Sequence, residues 1–331
     1  PVPRRPLACF FASRSAYEHA WRRRRCCCKV PRMSSDDQLI ALDRAYIWRP
    51  YTSREDHETR ELFVVERAEG PWLIAPDGRR VLDASGSWWC NNLGHGHPRL
   101  RAAIAKQSEQ VMHCTFAAAT HEPATRLAAE LVDVAPSGLE RVFYSDDGST
   151  SVEVALKIAF QYWQQNGRPK RRRFLSLPGA YHGDTLGAMS VGDLDEFTEV
   201  FRPLFFDVQR PADAVDHRWE PVFDELIAML RRQSDVIAGV IVEPVVQGAA
   251  GMRMYPPELL SALREETKRV DTLLIADEVF TGFGRTGPMW ASDHAGITPD
   301  LLCTAKGLSG GMLPFAATLA TSRIYEGFGG D

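Results

Sequence analysis

Apolar positions along the chain change their period several times, and each change marks an element. Leu62-Phe63-Val64-Val65, Trp72-Leu73-Ile74 and Val81-Leu82, with a turn at Pro76-Asp77-Gly78, read as a small antiparallel meander. After His97-Pro98, the spacing of Leu100, Ile104 and Val111 predicts an amphipathic helix from Leu100 to Met112, and a second covers Pro123 to Val134. Short apolar runs then alternate with helical stripes. The predicted elements are strand Arg141 to Ser145, helix Thr150 to Gln164, strand Arg173 to Leu177, helix Phe223 to Arg231 and strand Val236 to Val242. Helix Pro257 to Arg269 and strands Leu273 to Ala276 and Leu301 to Thr304 follow. Repeated strand, crossover and strand predicts an α/β fold with a mostly parallel sheet sandwiched by helices. Ligands of such sheets sit beyond the carboxyl ends of the strands.

Composition adds two qualifications. The 331 residues, 44% hydrophobic and 25% charged, suit one large or two medium domains with a substantial core. The net charge of −4 hides a split: residues 1–33 hold nine basic side chains against the single Glu18, which leaves 30 basic and 42 acidic groups to residues 34–331. A body this acidic argues against a broad nucleic-acid or anionic-membrane surface. The basic head has the composition of an organelle transit peptide. Against that, Arg22 to Cys28 lacks helical periodicity, and Met33 followed by Ser34-Ser35-Asp36-Asp37 makes an ordinary start, which favours non-native upstream sequence. Either way the head is expected to be disordered and outside the fold, and a basic arm for nucleic acid is the weakest of the three readings. Cys90, Cys114 and Cys303 are too scattered in the body for a disulfide framework or a metal set, and no apolar run approaches the ~18 residues of a membrane span. The expectation is a cytoplasmic protein, or an organellar one if the head is a transit peptide.

Three predicted strand ends carry chemistry. Tyr144-Ser145-Asp146-Asp147-Gly148-Ser149-Thr150 leaves a strand and opens a helix, where Gly148 permits close approach, Ser149 and Thr150 offer hydroxyls, and the helix start attracts anions. The segment reads either as a phosphate cradle or as an ordinary helix cap. The apolar strand Leu273-Leu274-Ile275-Ala276 runs into Asp277-Glu278; a buried carboxylate needs a cation, so Asp277 should face one, or else serve as a cap or metal ligand. Lys306 follows Leu301-Leu302-Cys303-Thr304-Ala305 and is either a snorkelling surface residue or a desolvated amine able to act as a Schiff-base nucleophile. Phosphate cradle, strand-end Asp and strand-end Lys are together the set that pyridoxal phosphate requires.

With these residues the sequence resembles the class III aminotransferases of the fold type I pyridoxal-phosphate enzymes. The likeness rests on Ile241-Val242-Glu243-Pro244, Ala276-Asp277-Glu278-Val279, Thr281-Gly282-Phe283-Gly284-Arg285-Thr286-Gly287 and Ala305-Lys306-Gly307. Trp48-Arg49-Pro50-Tyr51-Thr52, Ser87-Trp88-Trp89, Gly94-His95-Gly96-His97-Pro98, Tyr181-His182-Gly183-Asp184-Thr185 and Gln247 to Tyr255 are similar to a narrower group. Its members move an amino group from S-adenosylmethionine to 8-amino-7-oxononanoate in biotin synthesis. The resemblance implies that Gly148 and Ser149 hold the cofactor phosphate, Tyr181 stacks on the pyridine ring, Asp277 pairs with the ring nitrogen and Lys306 is the Schiff-base lysine. It implies that Tyr51, Trp88 and Trp89 line the substrate channel, that Arg285 is a substrate-side cation, and that the active form is a homodimer. It also implies a domain division: residues 34–86 as the N-terminal segment of a small domain and 87–331 as the large cofactor domain. The chain stops 25 residues after Lys306, whereas the family continues for on the order of a hundred more, enough for a further small domain. That part supplies, by resemblance, a Thr to the partner subunit's phosphate and an Arg to the substrate carboxylate. Another ω-aminotransferase, using lysine or an ω-amino acid as donor, or an inactive cofactor-binding fragment are the alternatives.

Two motifs are decoys. Gly282, Gly284 and Gly287 fit a dinucleotide fingerprint as a string, but Pro288 and Trp290 stand where that motif needs a helix to begin. His95 and His97 lack partners at metal-ligand spacing, which favours a loop role.

Overall fold

The computed structural model describes residues 35–194 and 198–329 and divides the chain into two compact units. The basic head lies outside the described residues. The first unit comprises residues up to 67 and residues 74–79. It holds helices α1 (Ser35–Tyr46) and α2 (Arg54–Thr59); Ser53 caps α2 by accepting the Asp56 amide. Asp43 ties the two together through Arg49 at 2.6 Å and His57 at 3.1 Å.

Three short strands, β1 (Arg67–Glu69), β2 (Trp72–Ile74) and β3 (Arg80–Leu82), make a sheet in that order. The turn at Pro76-Asp77-Gly78 forms as expected, with Gly78 at φ 86°. The first strand does not: Leu62 to Val65 is irregular, and pairing with β2 starts only at Glu66, whose amide donates to the Ile74 carbonyl at 2.9 Å.

The second unit, residues 68–73 and 80 onward, is organised by a seven-stranded sheet of order β4-β12-β11-β10-β7-β5-β6. Its strands are β4 (Leu139–Ser145), β5 (Arg173–Ser176), β6 (Val208–Gln209), β7 (Ile237–Val242), β10 (Leu273–Asp277), β11 (Leu301–Thr304) and β12 (Ala316–Thr321). A separate ribbon pairs β8 (Val246–Gln247) with β9 (Arg253–Met254). β6, β5, β7, β10 and β11 run parallel, and β12 alone is antiparallel to its neighbours β11 and β4.

Every residue of β7 and β10 is buried, as expected for strands covered on both faces. The period-2 alternation of a strand divides them between two cores. Ile241, Leu273 and Ile275 pack with the Val152, Ala155, Leu156, Ala159 and Trp163 stripe of α5 (Gly148–Gln165). Val240, Val242 and Leu274 face the other way, onto α7 (Glu220–Arg232) and α8 (Pro257–Arg269). Burial of such side chains contributes about 1.5–3 kcal/mol each.

Helix α3 (Pro98–Ser108) ends four residues before the predicted Met112, because the continuation has nothing to bury: Met112 is 92% exposed. The remaining helices are α4 (Glu122–Val134), α6 (Leu186–Val191) and α9 (Ser322–Glu326). Among the described residues no helix is long and apolar enough to cross a membrane.

Candidate active site

The parallel strands deliver the chemistry to one edge. In the β10–β11 register Asp277 faces Cys303, so Asp277 and Lys306, three residues further on, arrive at the same end of adjacent strands. After β4, Asp147 caps α5 in a reciprocal box: its carboxylate accepts the Thr150 amide at 2.8 Å, and its own amide donates to the Thr150 hydroxyl at 2.9 Å. Thr150 is thus committed to the cap, and Gly148 and Ser149 line the cavity. They sit where helix amides have no intrahelical acceptor and the dipole is positive.

Gly148 is dictated by packing as well, since a Cβ there would lie 2.5 Å from Val279 Cγ1. The Ser149 hydroxyl accepts the Thr185 amide at 2.9 Å and so draws the 181–185 loop to the helix start. Gly183 makes that possible, with φ 119° and Ser149 Oγ only 2.4 Å from where its Cβ would be.

That loop places His182 against Asp277, Nδ1 to Oδ2 at 2.7 Å, both side chains almost sealed from water. Oδ1 of Asp277 accepts the Val279 amide at 3.0 Å. Asp277 therefore meets a histidine in this protein, a hydrogen-bonding partner where the sequence reading expects a cation. The other ring nitrogen, Nε2, is buried with no hydrogen-bond partner among the described residues, and His182 lines the cavity. Glu243, the residue after β7, joins them. It accepts the Tyr181 amide at 3.0 Å and the Gly248 amide at 2.9 Å, and burial pushes its carboxyl up to about 7 against the opposing pull of His182. Tyr181 itself lines the cavity, half-buried.

Lys306 has φ 42°, a left-handed backbone that a lysine adopts only when its surroundings enforce it. Its Nζ lies 5.5 Å from the centroid of the Trp89 ring. Burial lowers its pKa, with Asp277 and Glu243 acting in the opposite sense, so a neutral amine is more accessible than in water. Trp89 packs edge-on against Phe280 at 4.7 Å. Trp88 and Trp89, with Ser87 before them, have φ values of 68°, 69° and 48°, a left-handed turn that costs about 1–2 kcal/mol per residue for residues other than glycine. Trp88 is 59% exposed.

Glu278 is the second strand-end carboxylate, and its role is structural. It accepts the amides of Ala291 and Ser292 at 3.0 and 2.8 Å, the Ser292 hydroxyl at 2.8 Å and the Thr281 hydroxyl, so it pins both ends of the glycine-bearing loop. No α-helix opens after Gly287: a bend over residues 287–290 leads to the short 3-10 segment Ala291–Ala295. Arg285 on this loop is exposed and donates to the Trp89 carbonyl at 3.1 Å. His95 pairs with Asp83 at 2.9 Å within a loop, and among the described residues no group of three His, Cys, Asp or Glu is placed to hold a metal ion.

Gly148, Ser149, Tyr181, Asp277, Lys306 and Trp89 thus surround one cavity of about 660 Å³. Arg285 borders a second cavity, which Trp89 and Phe280 share with the first. Tyr51 belongs to the first unit, where it is 51% exposed with φ 49°. The sequence alone gives no role to His182 or Glu243, although both lie within the family-like motifs. Glu243 had the same signal as Asp277, an acid ending an apolar strand.

A mostly parallel sheet with a lysine and an aspartate at neighbouring strand ends, beside a helix start, defines a family of group-transfer proteins. The chain belongs to the class-III aminotransferase family, whose profile matches residues 51–330. Among individual relatives, it is 43% identical over 300 residues to the adenosylmethionine-8-amino-7-oxononanoate aminotransferase of Geobacter sulfurreducens, covering 87% of this chain and 66% of that one. The chain therefore spans just under two thirds of that relative's length. It superposes on the crystal structure of the enzyme of that name from Methanocaldococcus jannaschii with a TM-score of 0.85 and 39% identity, covering 89% of this chain and 68% of that one. An amine transaminase from an uncultivated Pseudomonas species, solved in a PLP-bound form, matches with a TM-score of 0.78 at 37% identity, covering 85% and 66%.

Proposed function

We propose that this chain is the cofactor-binding part of an aminotransferase that uses pyridoxal phosphate to move an amino group from S-adenosylmethionine to 8-amino-7-oxononanoate, giving 7,8-diaminononanoate for biotin synthesis. The observation that carries the reading is the convergence of Lys306, Asp277 and the start of α5 on one cavity. The residues fit the cofactor. The helix start at Gly148 and Ser149 suits a phosphate, the cavity has room for a ring beside Tyr181, and the unpartnered His182 Nε2 adds a polar group to its wall. Bound pyridoxal phosphate supplies a ring that takes up the charge left when a substrate carbon loses its proton.

In this reading the first-turn amides of α5 and the Ser149 hydroxyl hold the phosphate. Tyr181 covers one face of the ring. Asp277, oriented by His182 and the Val279 amide, keeps a proton on the ring nitrogen by electrostatic attraction. Lys306 is the residue that would hold the cofactor covalently, and its Nζ, when free, would take and return the proton at the substrate's reacting carbon. Its lowered pKa supports both roles. Trp89, with Trp88 before it, gives an apolar wall suited to a long methylene chain and an adenine, with Arg285 as the cation on the substrate side. The active assembly is a homodimer, which sedimentation of the purified protein tests.

Similarity to an amine transaminase keeps a simple amine donor as the competing reading. The deciding experiment mixes the cofactor-loaded protein with S-adenosylmethionine, lysine and a short ω-amine in turn and follows the visible absorbance. A change with S-adenosylmethionine supports the proposal. A change with the other donors alone overturns the donor assignment.

A further inference from the structure

The left-handed turn before Cys90 needs an external cause. Four consecutive residues, Gly86 to Trp89, have positive φ, and only the first is a glycine. The turn closes on itself, with the Trp89 amide donating to the Ser85 carbonyl at 2.8 Å and the Cys90 amide to Gly86 at 3.0 Å, but a right-handed turn would satisfy the same groups without the steric cost. Non-glycine residues persist in such a conformation when the surroundings over-determine it. Asp83 is the group that does so. Its Oδ1 accepts the Ser87 amide at 2.8 Å, and its Oδ2 accepts the Ser87 hydroxyl at 2.7 Å while facing His95 Nε2 at 2.9 Å. The carboxylate is anchored from behind. The Asp83 amide donates to Pro71 at 2.8 Å, and His95 is fixed by a two-way backbone bridge to Gly70. Burial alone would raise the Asp83 carboxyl, but the two Ser87 contacts and His95 outweigh it and bring it down to about 2, so the group is charged throughout the working pH range.

The turn matters because of what it aims. Trp89 leaves it to meet Phe280 and to place its ring beside Lys306 Nζ. A return of φ to negative values would reverse the direction in which Trp88 and Trp89 leave the backbone.

We propose that Asp83 is a positioning residue for substrate selection: its carboxylate, bound to Ser87 and His95, holds the Ser87–Trp89 turn left-handed and thereby sets the aromatic wall beside Lys306 that receives the large apolar part of the substrate. The substrate clause rests on the function proposed above; the conformational clause does not.

The test uses Asp83→Asn in the cofactor-loaded protein. The amide keeps one acceptor for Ser87 but loses the charge facing His95. The KM for S-adenosylmethionine rises at least about tenfold, kcat stays within about threefold, and the absorbance of the lysine-linked cofactor is unchanged, because the reacting groups stay in place while the wall moves. In a Trp88→Phe/Trp89→Phe background, Asp83→Asn adds less than about a further twofold to KM, since both changes act through the same side chains. An unchanged KM, full additivity of the two changes, or a joint fall of kcat, cofactor absorbance and thermal midpoint overturns the proposal. Near-ultraviolet circular dichroism supplies a readout that needs no turnover. Asp83→Asn removes the part of the signal that Trp88→Phe/Trp89→Phe removes, and an unaltered spectrum overturns the conformational clause. A wild-type protein that fails to react with S-adenosylmethionine yet passes the dichroism test would overturn the function and its substrate clause while leaving the turn's assignment standing.

Discussion

His182 Nδ1 lies 2.7 Å from Asp277 Oδ2, and the two residues, 95 apart in the chain, are held together by a loop that Ser149 draws onto the start of α5. The site is thus a coupled unit in which the helix start proposed to receive the phosphate also orients the histidine behind the aspartate. Replacing Asp277 by Asn keeps the shape and an acceptor for the Val279 amide but removes the charge. Turnover should fall at least about 100-fold, as when a preorganised electrostatic partner is deleted, with the thermal midpoint within a few degrees of wild type. Steady-state kinetics and calorimetry on the same preparation check this; a fully active variant would falsify the electrostatic role.

Lys306 has a second distinguishing feature besides its burial, the left-handed backbone that directs its chain toward the cavity. Lys306→Ala should abolish the visible absorbance of the lysine-linked cofactor and lower amino transfer by at least about 10⁴-fold. Non-covalently held cofactor should remain measurable after gel filtration, because the phosphate site proposed at the start of α5 does not include the lysine. Absorbance and activity that survive the substitution would remove Lys306 from its assigned role.

Much of this arrangement could be read from the sequence because the parallel strands are buried on both faces. Ile237–Val242 and Leu273–Asp277 announce themselves as unbroken apolar runs, and the polar residue that ends each one is conspicuous. β12 had no such signal. Ala316-Ala317-Thr318-Leu319-Ala320-Thr321 is rich in alanine, a poor strand former, and becomes a strand because β4 and β11 pair with its backbone along both edges. The tryptophan pair is conspicuous in the sequence and Trp89 does line the cavity, but the turn that aims it could not be read, since Ser87, Trp88 and Trp89 have no intrinsic preference for positive φ. Long-range contacts such as His182 with Asp277 leave no mark on local spacing.

Gly148 offers a reversible perturbation of the helix start. In Gly148→Ala the new methyl lands 2.5 Å from Val279 Cγ1, and valine, stiff at χ1, cannot swing aside. Overpacking of this kind costs about 1–3 kcal/mol, and because the strained atoms bound the proposed phosphate site, pyridoxal phosphate should bind roughly tenfold or more weakly. Val279→Ala in the same chain removes the obstructing methyls and should restore most of the affinity. Fluorescence titration of cofactor-free protein measures both; a double variant as weak as the single one would mean that the glycine is needed for backbone freedom instead.

Glu243 should make the cofactor-free protein less stable as pH rises. Its carboxyl is pushed by burial from the ordinary 4.5 to about 7, so between these values the folded chain binds a proton that the unfolded chain has released. The contribution is complete below about pH 4.5, declines through neutrality, and is gone above about pH 7, a change on the order of 3 kcal/mol at most. Urea unfolding of wild type and Glu243→Gln at intervals from pH 5 to pH 8 isolates the effect. Glutamine sacrifices one of the two acceptors now serving Tyr181 and Gly248, so the variant is less stable overall, but it does not titrate. The stability difference between the two proteins should therefore shrink as pH rises toward 8. A gap that is constant across the range, or that widens with pH, would show that Glu243 is already ionised in the folded protein at pH 5, held so by His182 and the two amides that bind it.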